Sequence, residues 1–139
     1  MKVTLDVNVL LDVFQRREPH YAASAHVLSL ITAGSLSAVC PAHGLTTLYY
    51  LVRKHGSRPD AEDAMDQVLR HFQIGNLDKS EWQGARQLPF ADFEDAVVAA
   101  VAKATASDFI ITRNVGDYAS SPVPAIAPAD FLSQLATSV

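Results

Sequence analysis

The sequence predicts an α/β fold: a three-layer α/β/α sandwich around a mainly parallel central sheet, formed by a single domain over residues 1–139. Two observations carry that prediction. Short runs rich in β-branched and aliphatic residues alternate with longer stretches whose apolar residues recur at helical spacing. Glycine or proline punctuates most of the changes between the two patterns. A chain of 139 residues that is 49% hydrophobic also has enough apolar material for one packed core.

The elements follow in order. Val3-Thr4-Leu5 is a strand that ends at Asp6, and Val7 to Phe14 continues as a helix with polar breaks at Asn8 and Asp12. After Pro19, the segment His20 to Ala33 places Ala22, Ala25, Val27, Leu28 and Ile31 at roughly helical spacing, and Gly34 supplies a stop. Leu36 to Cys40 is a second strand closed by Pro41; Leu45, Leu48, Tyr49 and Val52 then mark a helix ended by Gly56. Asp60 to Phe72 carries Ala61, Ala64, Met65, Val68 and Leu69 on one stripe, followed by a third strand over Phe72 to Leu77. Ser80 is the expected cap of a helix from Glu81 to Leu88, which Pro89 breaks. A helix over Asp92 to Thr105, a strand over Phe109-Ile110-Ile111-Thr112 and a closing helix from Pro128 to Leu135 complete the pattern.

Charge and composition exclude several classes. A net charge of -4 and a pI near 5.6 argue against a protein that holds nucleic acid through a broad positive surface. Two local basic clusters remain, Arg16, Arg17 and His20 in one and Arg53, Lys54, His55 and Arg58 in the other; both also fit solvated helix ends. The lone Cys40 allows neither an internal disulfide nor a cysteine metal cage, and its apolar setting assigns it to the core. The five histidines lack transition-metal spacing, with His43 the one placed to face a pocket near the start of its helix. No apolar run is long enough to span a membrane, and the N-terminus enters a strand rather than a signal sequence, so the expected location is the cytoplasm.

Three acidic stretches carry the functional information: Leu5-Asp6-Val7-Asn8 with Asp12, Asp92-Phe93-Glu94-Asp95, and Thr112-Arg113-Asn114-Val115-Gly116-Asp117. In open parallel sheets ligands bind beyond the carboxyl ends of the strands, where Asp6, Asn114 and Asp117 fall. Each acid alone has a structural use. Asp6 fits a helix cap, Asp92 and Asp95 fit first-turn acids favoured by the helix dipole, and Asp117 fits a turn with Gly116. If the fold brings them together, their mutual repulsion calls for a neutralising cation, and an all-oxygen donor set suits Mg²⁺ or Mn²⁺.

The blocks Val3-Thr4-Leu5-Asp6-Val7-Asn8-Val9-Leu10-Leu11-Asp12, Asp92-Phe93-Glu94-Asp95-Ala96 and Ile111-Thr112-Arg113-Asn114-Val115-Gly116-Asp117-Tyr118 resemble the signature blocks of PIN-domain proteins. The likeness extends to Arg17-Glu18-Pro19-His20 and to Pro128-Ala129-Asp130-Phe131-Leu132, and so covers essentially the whole chain. It implies a PIN-like sandwich with metal-dependent ribonuclease activity, similar to the VapC-type toxins that a partner antitoxin neutralises. Carried over by position, Asp6, Asp95 and Asp117 are the catalytic and metal-binding acids, with Asn8, Asp92 and Asn114 in support. The chain departs from the family where a glutamate is usual early in the helix after strand two: the matching residue is Thr47, which carries no charge. Asp92 or Glu94 are the candidates to replace it.

The expected function is therefore hydrolysis of RNA phosphodiester bonds at a Mg²⁺ or Mn²⁺ site, by a homodimer with an antitoxin partner. Two other readings fit the residues. One is a catalytically weakened module that binds RNA or antitoxin, supported by Thr47. The other is a haloacid-dehalogenase-like phosphatase with Asp6 as nucleophile, which the replacement of that motif's second acid by Asn8 disfavours.

Overall fold

Five parallel strands, β1 (Lys2–Leu5), β2 (Ser37–Pro41), β3 (Gln73–Gly75), β4 (Phe109–Ile111) and β5 (Ala125–Ile126), form one sheet in the order β3-β2-β1-β4-β5. The computed structural model describes residues 1–137. Seven helices complete the described fold: α1 (Val7–Phe14), α2 (Tyr21–Thr32), α3 (His43–His55), α4 (Arg58–His71), α5 (Lys79–Gln87), α6 (Phe93–Ala104) and α7 (Pro128–Thr137). A short 3-10 helix, Val115–Tyr118, lies between β4 and β5.

The strands are apolar on both faces because helices cover both. Val3, Leu5, Ala38, Cys40 and Ile111 point into the core shared with α1, α2, α3, α4 and α7. The alternate residues Val39 and Ile110 point the other way, to α5 and α6. Thr4 is on that second face and fully buried, and its hydroxyl is satisfied by Ser107 Oγ at 2.7 Å. Burial pushes the Cys40 thiol up to about 12, so it stays neutral within the core.

Local chemistry sets most boundaries. Gly34 adopts φ +80° just beyond α2, the left-handed turn that a glycine stop provides. Ser57 caps α4, which has a proline in its first turn. The expected cap of α5 is corrected: Asp78 accepts from the Glu81 N–H at 2.7 Å, and the Glu81 carboxylate in turn accepts from the Asp78 N–H at 3.0 Å. That reciprocal box wins over Ser80, and the helix starts earlier than expected. Asp92, expected inside its helix, is the residue that caps α6. The third strand is shorter than the expected Phe72 to Leu77, and its last residue, Gly75, explains the close approach of α6. A Cβ there would collide with Val101 and lie 2.9 Å from Val39. β5 has only two residues, too few for periodicity to reveal it.

Chain order reverses at the centre of the sheet. From β1 the connections proceed to β2 and β3 on one side, then cross to β4 and β5 on the other. The crevice beyond the carboxyl ends of β1 and β4 is thus the topological switch point, the place where such sheets bind ligands.

Candidate active site

Asp6 stands at that crevice. Its N–H donates to the Ile111 carbonyl at 3.0 Å, fixing the residue between β1 and β4. Its Oδ1 accepts from the Asn8 N–H at 3.2 Å and its Oδ2 from the Thr112 hydroxyl at 3.0 Å. The Thr112 oxygen in turn accepts from the Asn114 N–H at 3.1 Å, so the residues after β4 are folded around the residue after β1. Asp6 is therefore the cap of α1, as one reading of the sequence had it, and also a carboxylate only 2% exposed. Burial raises its pKa, as does the Glu94 charge, while the bonds from Asn8 and Thr112 and the charge of Arg113 oppose that rise.

Asp95 approaches from the first turn of α6, whose start is fixed by the bond from the Glu94 N–H to Asp92 Oδ1 at 2.8 Å. A helix N-terminus should favour its ionised form. Instead its carboxyl is pushed up to about 6, by burial first and then by the charges of Glu94, Asp92 and Asp6. Tyr118 donates from its hydroxyl to Asp95 Oδ1 at 3.3 Å and favours the carboxylate. The phenol is itself held protonated by burial and by Asp6, Asp95 and Glu94. Its ring meets Phe90 edge-on at 5.9 Å.

The structure thus brings Asp95 within electrostatic range of Asp6, with Glu94 influencing both carboxylates and Asp92 influencing Asp95. Asn8 and Asn114 engage this centre through their backbone N–H groups. Asp117 lies on the exposed side of the 3-10 helix, whereas its neighbour Tyr118 turns inward. Thr47 is exposed on α3. One turn before it on the same face, His43 Nε2 lies 3.3 Å from Glu94 Oε1, so His43 is the α3 residue seen to contact the acidic centre. Asp12 belongs elsewhere. It is fully buried on α1, 2.7 Å from Arg113 Nε, close enough for an ion pair but not aligned as a hydrogen bond.

Two residues of this centre escaped the sequence reading. Tyr118 follows Asp117 in the last acidic stretch, but only the 3-10 turn shows which of the pair faces inward. Thr112 closes a strand, and only its pairing beside β1 makes it the partner of Asp6. The basic clusters prove to be neighbours: Arg16, Arg17 and His55 line one groove of about 590 Å³ together with Phe14 and Val52, at the far end of α1 from Asp6.

The donor set fits a hard cation. Asp6, Asp95 and Glu94 offer only oxygen, and the carboxyls of Asp6 and Asp95 are raised by burial first and then by neighbouring negative charge, both of which a bound cation would offset. Among the described residues no three His, Cys, Asp or Glu side chains already form a metal cage. Mg²⁺ and Mn²⁺ need none, because they keep most of their waters and take only one or two carboxylates directly.

The family model described as PIN domain matches residues 2–116 of the chain. Ribonuclease VapC1 of Aquifex aeolicus (strain VF5) is 25% identical over 122 residues, 84% of each protein. Among solved structures, VapBC2 from Rickettsia felis bound to a DNA fragment from their promoter aligns with TM-score 0.69 at 18% identity, covering 91% of this chain and 98% of the other. A toxin–antitoxin complex from Klebsiella pneumoniae aligns with TM-score 0.68 at 21% identity, covering 91% and 97%. VapC20 from Mycobacterium tuberculosis, a Sarcin-Ricin loop cleaving toxin, aligns with TM-score 0.69 at 12% identity, covering 91% and 99%. At these identities the solved structures speak for the fold, a five-stranded parallel sheet between helical layers.

Proposed function

We propose, from the premise that the chain belongs to the PIN domain family, that it is a ribonuclease dependent on Mg²⁺ or Mn²⁺ and the toxin of a toxin–antitoxin pair. One observation supports this most strongly: Asp6 and Asp95, 89 positions apart in the sequence, lie within electrostatic range of each other by the switch point of the sheet, where burial and neighbouring acids oppose their ionisation. Asp6, Asp95 and Asp117 hold the cation, with Glu94 supplying the charge that Thr47 lacks. A divalent cation there would screen the scissile phosphate and acidify the attacking water. The protein's part is to fix the two carboxylates: Thr112 and the Asn8 N–H orient Asp6, and Tyr118 orients Asp95. Asp92 acts by capping the helix that presents Asp95.

The partners follow from the same reading. The substrate is RNA, the site of action is the cytoplasm, and an antitoxin related to those of the toxin–antitoxin structures is the regulator. The exposed Tyr50 and Leu69 on α3 and α4 are the face for a homodimer. Among the described residues no helix is long and apolar enough to cross a membrane.

Cleavage of an RNA oligonucleotide by the purified protein should require Mg²⁺ or Mn²⁺, stop with EDTA, and fall at least about a hundredfold in Asp6→Asn with the circular dichroism spectrum unchanged. Undiminished cleavage by the pure variant would remove Asp6 from the mechanism. A second reading rests on Thr47: if the wild type is inactive and Thr47→Glu cleaves, the natural protein is a binding module that has lost its fourth acid.

A further inference from the structure

Beside the acidic centre lies an aromatic surface that the hydrolytic reading leaves unused. Trp82 and Phe93 are 39% and 48% exposed, with ring centroids 6.2 Å apart and planes inclined by 41°. Side by side, the two rings leave a contiguous apolar area open to solvent. The pair is joined to the carboxylates through His43. The imidazole meets Trp82 edge-on at 6.4 Å and reaches Glu94 at 3.3 Å, and Phe93 precedes Glu94 in the chain.

Charge identifies the occupant. Lys79, Trp82 and Arg86 fall at i, i+3 and i+7 of α5, which puts a cation on each side of the indole along one exposed helix stripe. Protein interfaces also favour aromatic residues and arginine but deplete lysine, so Lys79 is the residue that tells against a protein partner. Alternating cations and open aromatic faces are instead the composition that tracks a single strand of nucleic acid, with bases stacking on the rings and phosphates meeting the cations. A duplex keeps its bases stacked on each other and offers none to an indole. The chain's net charge of -4 makes this local stripe more telling, since no general positive field accounts for it.

We infer that Lys79, Trp82, Arg86 and Phe93 form a track for single-stranded RNA, with an unpaired base stacked on Trp82 and Phe93 as the adjoining phosphodiester enters the Asp6 and Asp95 site. The inference rests on the ribonuclease reading for the identity of that site, but its test is independent of cleavage.

Trp82 is the only tryptophan, so intrinsic fluorescence reports on this position alone. The protein carrying Asp6→Asn, which leaves bound RNA uncut, should show saturable quenching with a short mixed-sequence oligonucleotide and little with the same strand annealed to its complement. Trp82→Ala and, separately, Arg86→Ala should each weaken binding of a dye-labelled strand about tenfold, a loss within the range of one base–aromatic stack. Quenching without cleavage by the wild type would keep the track and reject the nuclease. Cleavage of a single strand with Trp82 unperturbed would keep the nuclease and reject the track. Equal response to single strand and duplex overturns the inference, as does a Trp82 that ignores RNA but is shielded from acrylamide in a toxin–antitoxin complex.

Discussion

At the scale of single residues, the site is a balance between groups that make carboxylates easier to ionise and neighbours that make them harder. Asp6 accepts one side-chain and one backbone hydrogen bond yet is still raised, because burial outweighs both. Those bonds leave each oxygen a second lone pair, so they orient the carboxylate without occupying it. Thr112 is therefore a positioning residue for the proposed metal site. Thr112→Val keeps the shape of the side chain and deletes the donor, and should weaken Mg²⁺ binding about 10- to 100-fold, the usual cost of losing an outer hydrogen bond to a ligand. Isothermal titration with Mg²⁺ checks it, and Thr112→Ser, which restores the hydroxyl, should recover most of the affinity. If valine binds as tightly as threonine, Asp6 is held by its backbone contacts alone.

At the scale of elements, the question is what keeps the β4 loop against α1. Arg113 follows Thr112 and pairs with Asp12, which is fully buried in a helix whose remaining buried residues are aliphatic. Removing the guanidinium strands a charge in the core. Arg113→Met should cost about 3 kcal/mol in urea unfolding, the low end for breaking a buried pair because Arg113 is partly exposed. The double variant Arg113→Met with Asp12→Leu should recover much of that loss. A single variant as stable as the wild type would show that water already serves Asp12.

The same elements show what the sequence could and could not reveal. Helices with an apolar stripe and a glycine stop, α2 and α3 above all, were legible because periodicity and punctuation agreed. The short β5 was not, because two half-buried residues have no period and pair only through β4. The acids were legible by type and by their places after strands, which is why Asp6 and Asp95 could be singled out together. Their partners were not. Tyr118, Thr112 and the contact of His43 with Glu94 depend on which strands are neighbours and on which way a 3-10 turn faces, and neither is written in local spacing.

At the scale of the whole molecule, the sheet gathers Asp6 and Asp95 at one end, and under the proposed function stability there answers to pH and to metal together. Asp95 is raised to about 6 from an ordinary 3.8, so the metal-free folded protein binds this proton more tightly than the unfolded chain does. The stabilisation from that proton is complete below about pH 4 and is lost as pH rises through about 6. A divalent cation binds the carboxylate form and works in the opposite sense. At about pH 7.5 Asp95 is ionised, and Mg²⁺ at a hundredfold excess over its Kd should add about 2.7 kcal/mol, a rise in Tm of several degrees. At about pH 5 the proton competes, and each further unit of acidity weakens the apparent affinity about tenfold. Thermal unfolding with and without Mg²⁺ at both pH values tests this: at the same Mg²⁺ concentration the Tm increment at the lower pH should be about half that at the higher. Asp95→Asn cannot titrate and should lose both the increment and its pH dependence, while the metal-free Tm at neutral pH should hold or rise once the repulsion is gone. An increment that is equal at the two pH values, or that survives in Asp95→Asn, would place the cation elsewhere on the chain.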